Sequence, residues 1–219
     1  MNVSPDQVAQ YLRDHPEFFA HQGDLLTQLT VPSAHGGQVV SLGERQLQVL
    51  REKTQALESQ MREMIRYAEN NDAISEKVFT LAAKLNAVRN LDAVLQTTYH
   101  DLRERFTVPH VALRVWGMTL HPDLPECEAI SSALEAQVIA MAGPRCGAEA
   151  SAEVRAWFPG VGAQLRSFAW LPLLPVAEGD LRGVLVLASE DAQRFYPEMG
   201  TYYLGQLARQ VGASIARYL

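Results

Sequence analysis

Ser167-Phe168-Ala169-Trp170-Leu171-Pro172-Leu173-Leu174 and, after a polar break, Gly183-Val184-Leu185-Val186-Leu187-Ala188 are the two stretches that decide the fold. Both are short, apolar and bounded by turn residues, which predicts buried strands. Glu178-Gly179-Asp180 between them reads as a hairpin turn. A third strand is written as an alternation of Val111, Leu113 and Val115 with Ala112, Arg114 and Trp116; Pro109 stands at its entry, where a missing donor is tolerated. Asn90 caps a helix carrying Leu91, Val94, Leu95, Leu102 and Phe106. Cys127 to Met141 predicts another helix through Ile130, Leu134, Val138 and Met141, ended by Gly143-Pro144. Val154 to Phe158 reads as a short apolar turn before Pro159, Gly160 and Gly162, and a closing helix is apolar at Leu204, Leu207, Ala208, Val211 and Ile215. Helices flanking an antiparallel sheet define an α+β domain.

Upstream the period changes. Leu47, Leu50, Thr54, Leu57, Met61, Met64 and Ala68 recur in steps of three and four, a narrow seam that one helix cannot bury alone. A second copy of the chain is the natural cover, with Leu47, Leu50, Leu57, Met61 and Met64 as the dimerisation residues. With Leu47 at position a, Lys53 and Glu58 fall at g and the following e, where they can pair across a parallel dimer. The competing reading is a solvated helix face packed on its own domain. From Leu42 to Asp72 five bases stand against six acids, so charge nearly cancels. Ser41 with Glu44 suits a capping box at the start of this helix. Glu69-Asn70-Asn71-Asp72 interrupts the seam, and a second helical stretch is expected from Ala73 to Val88, with Val78, Ala82 and Leu85 resuming the stripe.

The first forty residues form a small helical cap. Ser4-Pro5-Asp6-Gln7 is a helix start, with Ser4 as cap and Gln7 three residues on. His15-Pro16 ends that helix, where the His15 ring can bond free carbonyls. A short helix follows through Phe18 and Phe19, then a third segment around Leu25, Leu26 and Leu29 before Pro32; Gly36-Gly37 is a flexible joint. The expected organisation is a cap over 1–40, a connector helix over 41–72 and a domain over 73–219.

Bulk chemistry excludes several classes. At 219 residues, 47% hydrophobic and 20% charged, the chain is of globular composition. The longest uncharged apolar run, Phe168 to Ala177, holds Pro172 and Pro175 and is far short of the roughly 18 residues of a spanning helix. Residues after Met1 are polar and then amphipathic, so no signal peptide is read and a cytoplasmic location is expected. A net charge of -6, with Arg13 alone against Asp6, Asp14, Glu17 and Asp24 near the start, argues against direct nucleic-acid binding. His15, His21, His35, His100, His110 and His121 are scattered without metal-ligand spacing, and no nucleophile elbow or phosphate loop is present. No metal site or catalytic set is expected, and no cofactor is required by the sequence. Cys127 and Cys146 lack CxxC spacing and read as reduced thiols.

The order of a long amphipathic helix, strand, irregular excursion, hairpin and closing helix resembles the GAF fold of sensory domains. Closer is the resemblance to the bacterial DUF484 family, whose members pair a helical N-terminus with a GAF-like domain and whose function is unknown. It rests on Val8-x-x-Tyr11-Leu12-x-x-His15-Pro16-x-Phe18-Phe19, on Pro32 with Gly36-Gly37, and on Val40-Ser41-Leu42-x-Glu44-Arg45-Gln46. It continues through Cys146-Gly147, Arg166-Ser167-x-Ala169, Pro172-Leu173 and Ser189-x-Asp191-x-x-Arg194-Phe195-x-Pro197-x-Met199-Gly200-Thr201, blocks that span nearly the whole chain. The resemblance implies a GAF-like antiparallel sheet flanked by helices behind the long coiled-coil-like helix and the cap. Such families are often encoded near a tyrosine recombinase, which points to a partner in DNA processing. The cyclic-nucleotide GAF motif is missing, since Lys53, Lys77 and Lys84 are preceded by Glu52, Glu76 and Ala83.

These readings set the functional expectations. In a GAF-like fold a cavity lies over one sheet face, for which Leu113, Val115, Trp170, Leu185 and Leu187 are the candidate floor. Trp157 and Phe158 are the candidate wall, with Arg166 or Arg114 for an anionic group. The competing reading is that these residues simply fill the core. The leading expectation is a non-catalytic regulatory or sensory homodimer that binds an unidentified small ligand and acts through a protein partner. Its rival is a ligand-free scaffold that docks a DNA-processing enzyme through Tyr11, Phe18, Phe19 and Leu25. A redox enzyme using Cys146 comes third.

Overall fold

The structure is a computed structural model that describes residues 4–23, 25, 30–32, 39–116, 123–173 and 182–218. It divides into two compact units, Met1–Glu69 and Asn70–Leu219.

In the first unit, helix α1 (Pro5–Asp14) begins as its sequence dictates. Ser4 Oγ accepts from the Gln7 amide at 3.3 Å while the Ser4 amide donates to Gln7 Oε1 at 2.9 Å, so two otherwise orphaned donors are satisfied reciprocally. At the other end the His15 ring nitrogen Nδ1 lies 3.1 Å from the Tyr11 carbonyl, the role expected for it. Helix α2 (Phe18–His21) follows. Strands β1 (Thr30–Pro32) and β2 (Val39–Ser41) pair antiparallel, Val31 opposite Val40, a feature that the sequence pattern did not suggest. Leu26, Leu29, Gly36-Gly37 and the side chains of Ser41 and Glu44 lie outside the described residues, as does the hairpin turn at Glu178-Gly179-Asp180.

Helix α3 covers Leu42–Ala87 in one run, so the second helical stretch expected from Ala73 to Val88 is its continuation. Glu, Asn and Asp at 69–72 carry polar side chains at a seam position, yet none is Gly or Pro, and their propensity cost of about half a kcal/mol each does not interrupt a backbone ladder. The polar run ends an apolar stripe without ending the helix.

The second unit is the α+β domain. Helix α4 (Leu91–Glu104) is capped by Asn90, whose Oδ1 accepts from the Ala93 amide at 2.7 Å, and leads to strand β3 (His110–Trp116). The helix expected over Cys127 to Met141 is corrected to a 3-10 turn at Pro125–Cys127, an extended stretch, and helix α5 (Ser132–Ile139). Ser131 sets the late start: its Oγ caps the Leu134 amide, and its own amide and hydroxyl are taken by the Glu153 carboxylate. Strand β4 (Arg145–Gly147), helix α6 (Ala152–Ala156), strands β5 (Ser167–Pro172) and β6 (Arg182–Ser189) and helix α7 (Tyr202–Ala216) complete the unit.

The sheet order is β3-β6-β5-β4, antiparallel throughout. Leu113 lies opposite Leu185, Leu185 opposite Leu171, and Trp170 opposite Val186. Because side chains alternate along a strand, this register sorts the sheet into two buried faces. Val111, Leu113, Val115, Cys146, Ala169, Leu171, Leu185 and Leu187 pack with Val78, Leu81 and Leu85 of α3, with α4 and with α7. Ala112, Phe168, Trp170, Val184, Val186 and Ala188 pack with Leu134 and Val138 of α5 and with Val154, Phe158 and Leu165. Each face therefore has its own core, and the sheet separates them.

Polar ties lock the first layer. Arg217 Nη2 donates to the Leu85 carbonyl at 2.6 Å, Tyr218 Oη to Val88 at 3.1 Å and Tyr203 Oη to Asn71 at 3.0 Å, joining α7 and the two residues after it to α3 and its exit. Arg194 donates through Nη2 to the carbonyls of Phe106 and Thr107 at 2.8 and 3.1 Å. Thr107 adopts φ of 52°, and the guanidinium closes the exposed carbonyls of that turn. On the second face, Arg155 donates to the carbonyls of Gly162 and Leu165, both at 2.9 Å, and its guanidinium stacks 5.0 Å from the Phe168 ring centroid. The backbone of the same arginine leaves room only for glycine at 162, where a Cβ would fall 2.2 Å from the Arg155 carbonyl oxygen.

Candidate functional site

The candidate pocket residues divide between the two faces of the sheet. Leu113, Val115, Leu185 and Leu187 lie on the face covered by α3, α4 and α7, whereas Trp170, Phe158 and Trp157 belong to the face covered by α5 and α6. Arg166 is exposed just before β5, with its amide bonded to the Ser189 carbonyl at 2.8 Å. Among the described residues, side chains of both groups are buried in the two cores, and an opening lies at the edge of the sheet.

A groove of about 710 Å³ runs along the outer edge of β3. Gln96, Tyr99, His100 and Arg103 of α4 form one wall, Trp157 and Pro159 the other, and Glu126 and Glu128 lie across it. Its central cation is Arg114, which shares the β3 side occupied by Ala112 and Trp116 and points into the layer of Trp157. The guanidinium carbon sits 4.9 Å from the Trp157 ring centroid, a cation–π contact that is strengthened by burial. Nη1 donates to the Leu113 carbonyl at 2.9 Å and Nη2 to Glu128 Oε2 at 3.3 Å. Nε is buried with no hydrogen-bond partner among the described residues.

Tyr99 stands opposite. Its hydroxyl donates to Glu126 Oε1 at 2.9 Å, and the Arg103 guanidinium lies 5.7 Å from its ring. Burial and then the Glu126 carboxylate push the phenol well above the usual tyrosine range, against the smaller pull of Arg114 and a backbone hydrogen bond from Leu113. Tyr99 is thus a neutral donor at any physiological pH. Two carboxylates therefore close the groove, one on a phenol and one on a guanidinium. Of the expected pocket residues, Trp157 and Arg114 line it. Arg114 was readable as a charge set in an apolar strand; Tyr99, Glu126 and Glu128 carried no signal, since their meeting depends on tertiary placement.

The remaining candidates fall as follows. Leu47, Leu50, Leu57, Met61 and Met64 are all exposed on α3 within the first unit. Tyr11, Phe18 and Phe19 come together: Tyr11 lies 6.0 Å from Phe18 and Phe18 5.3 Å from Phe19, both edge-on, with Tyr11 also stacked on His15 at 4.4 Å. Leu25 is half-buried. Cys146 is buried in the sheet, and burial pushes its thiol up; burial and Glu126 do the same to Cys127. Among the described residues no three His, Cys, Asp or Glu side chains gather as a metal ion requires, and no helix is long and apolar enough to cross a membrane.

The fold and its groove define the chain as an α+β protein with a ligand-sized opening beside a four-stranded antiparallel sheet. A family model described as "Protein of unknown function, DUF484" matches residues 1–219, and the chain belongs to that family. No curated protein matches it.

Proposed function

We propose that this chain is a GAF-like regulatory or sensory protein, without catalysis of its own, that works in the cytoplasm as a homodimer, binds a small ligand and acts through a protein partner. The observation that carries the reading is the uncovered seam on α3. Leu47, Leu50, Leu57, Met61 and Met64 are between 55% and 71% exposed and repeat with the heptad spacing of a coiled coil. Leaving such a stripe in water forgoes on the order of 1 to 2 kcal/mol per side chain, which a parallel second helix would recover. The groove beside β3 supports a ligand because it has the size and the mix of aromatic and charged groups of a small-molecule site.

Sedimentation equilibrium tests the reading. Wild type is expected at twice the chain mass and Leu57→Asp/Met64→Asp at the chain mass; a dimer that survives both substitutions would sink it.

A second reading, a scaffold that docks a DNA-processing enzyme, is favoured by the ring cluster of Tyr11, Phe18 and Phe19 on a cap whose helix α1 buries no residue of its own. Native mass spectrometry of protein from its own cell separates the two. Under this reading a partner mass is lost with Tyr11→Ala/Phe18→Ala while the dimer remains. The redox reading through Cys146 is disfavoured, since a thiol raised by burial is a poor nucleophile.

A further inference from the structure

Arg114 is a half-satisfied anion receptor. It is 9% exposed, so its charge has lost most of its water and needs a partner. The strongest partner for a guanidinium is an oxyanion that takes Nε and Nη2 together, one oxygen on each. Here Nη2 has a single long bond of 3.3 Å to Glu128, and Nε, the other donor of that edge, is buried and unpaired among the described residues. Glu128 is itself a loosely held carboxylate, with its side chain 68% exposed. It occupies the place of the anion without making the anion's full contact.

We propose that the groove beside β3 binds a small molecule bearing an oxyanion, a carboxylate or a phosphate monoester, which replaces Glu128 on the Nε–Nη2 edge of Arg114. The inference rests on the reading of the protein as a ligand-binding regulator and names the chemistry of its ligand. Trp157 holds one face of the guanidinium, so the edge is presented in a fixed plane. Tyr99, Pro125 and Pro159 offer apolar walls to the body of the ligand. Arg103 adds a second positive charge on the α4 wall. Displacement has a mechanical result. The 3-10 turn at Pro125–Cys127 packs on β3, tied by its own Glu126 to Tyr99 and by the following Glu128 to Arg114. Removing Glu128 from Arg114 frees one of those two side-chain ties, so occupancy of the groove is coupled to the freedom of residues 123–128.

The test uses the full chain labelled with nitrogen-15, with benzoate and phenyl phosphate as probes. The Arg114 Nε–H resonance is expected to shift on adding one of them, and which one does so identifies the oxyanion. Glu128→Gln, an exposed change that removes the competing charge, is expected to bind that probe about fivefold more tightly, the equivalent of one exposed ion pair. Arg114→Lys should abolish binding. If both probes leave the Nε–H resonance unmoved in the wild type and in Glu128→Gln, or if the two proteins bind with equal affinity, the proposal is overturned. Because Glu128 is exposed, that variant carries the test even where Arg114→Lys does not fold. Chain mass is measured on the same samples. A monomer that still titrates would overturn the dimer alone, and a dimer that does not would overturn the anion site alone.

Discussion

Lys84 Nζ lies 2.6 Å from Asp101 Oδ1, joining helix α3 to helix α4 over a carboxylate that has no exposure to solvent. Arg105 approaches the second oxygen at 3.5 Å. A buried carboxylate that loses its cation keeps its desolvation cost, so the loss exceeds the value of the pair itself. Lys84→Met is expected to lower stability by about 2 kcal/mol, less than a fully buried pair because Lys84 is partly solvated. Adding Asp101→Asn should recover part of that loss. Urea denaturation of the single and double variants checks both, and equal midpoints for wild type and Lys84→Met would show the pair to be inconsequential.

Tyr99 links stability to alkaline pH. Its folded pKa is raised, first by burial and then by Glu126, so its contribution is complete below the unfolded tyrosine value of about 10 and declines as pH rises beyond it. Tyr99→Phe should cost about 1 to 2 kcal/mol at neutral pH, by leaving Glu126 without its donor, and should flatten the alkaline decline. Melting curves across that range, compared for the two proteins, decide the matter.

His110 and Glu190 make an acid-side counterpart at the start of β3 and the end of β6, with Nε2 and Oε1 2.7 Å apart. The His110 hydrogen bond, helped by a backbone hydrogen bond, holds the Glu190 carboxyl below the usual glutamate range. A depressed folded pKa gives a contribution that is present above the unfolded value and lost as pH falls through the folded one. Carboxyl carbon-13 titration should therefore place Glu190 below the ordinary glutamate range in the wild type and return it upward in His110→Ala.

Gly162 has no room for a side chain against the Arg155 carbonyl. Gly162→Ala is expected to cost about 2 kcal/mol or more, since the obstacle is backbone, held in place by the Arg155 bonds to Gly162 and Leu165. Thermal melts would show it, together with faster proteolysis between residues 157 and 165. An unchanged melting temperature would mean that the α6 turn can move aside.

The long strands and helix α7 were legible because their apolar spacing is local. Ser167–Pro172 and Arg182–Ser189 fall within two residues of the runs that announced them. β4 was not, since Arg145, Cys146 and Gly147 have no strand pattern and become one only through pairing with Phe168, Ala169 and Trp170. The groove was illegible for a related reason. In a sheet buried on both faces the strand sequence is apolar at every position, so it does not say which side chains share a side. That needs register, and register put Trp170 beside Val186, away from the residues grouped with it in the sequence. Arg114 was visible as a charge in such a strand; the Glu128 carboxylate that meets it follows a turn whose course no periodicity describes.

The backbone of Leu113 has a consequence for assembly. Its carbonyl accepts from Arg114, so a side chain of its own domain occupies a group that an outermost strand would otherwise offer to a neighbour. Sheets that leave such groups free can be extended from molecule to molecule into polymers. Here that route is stoppered at the middle of β3, and any ligand that pulls on Arg114 also pulls on the stopper.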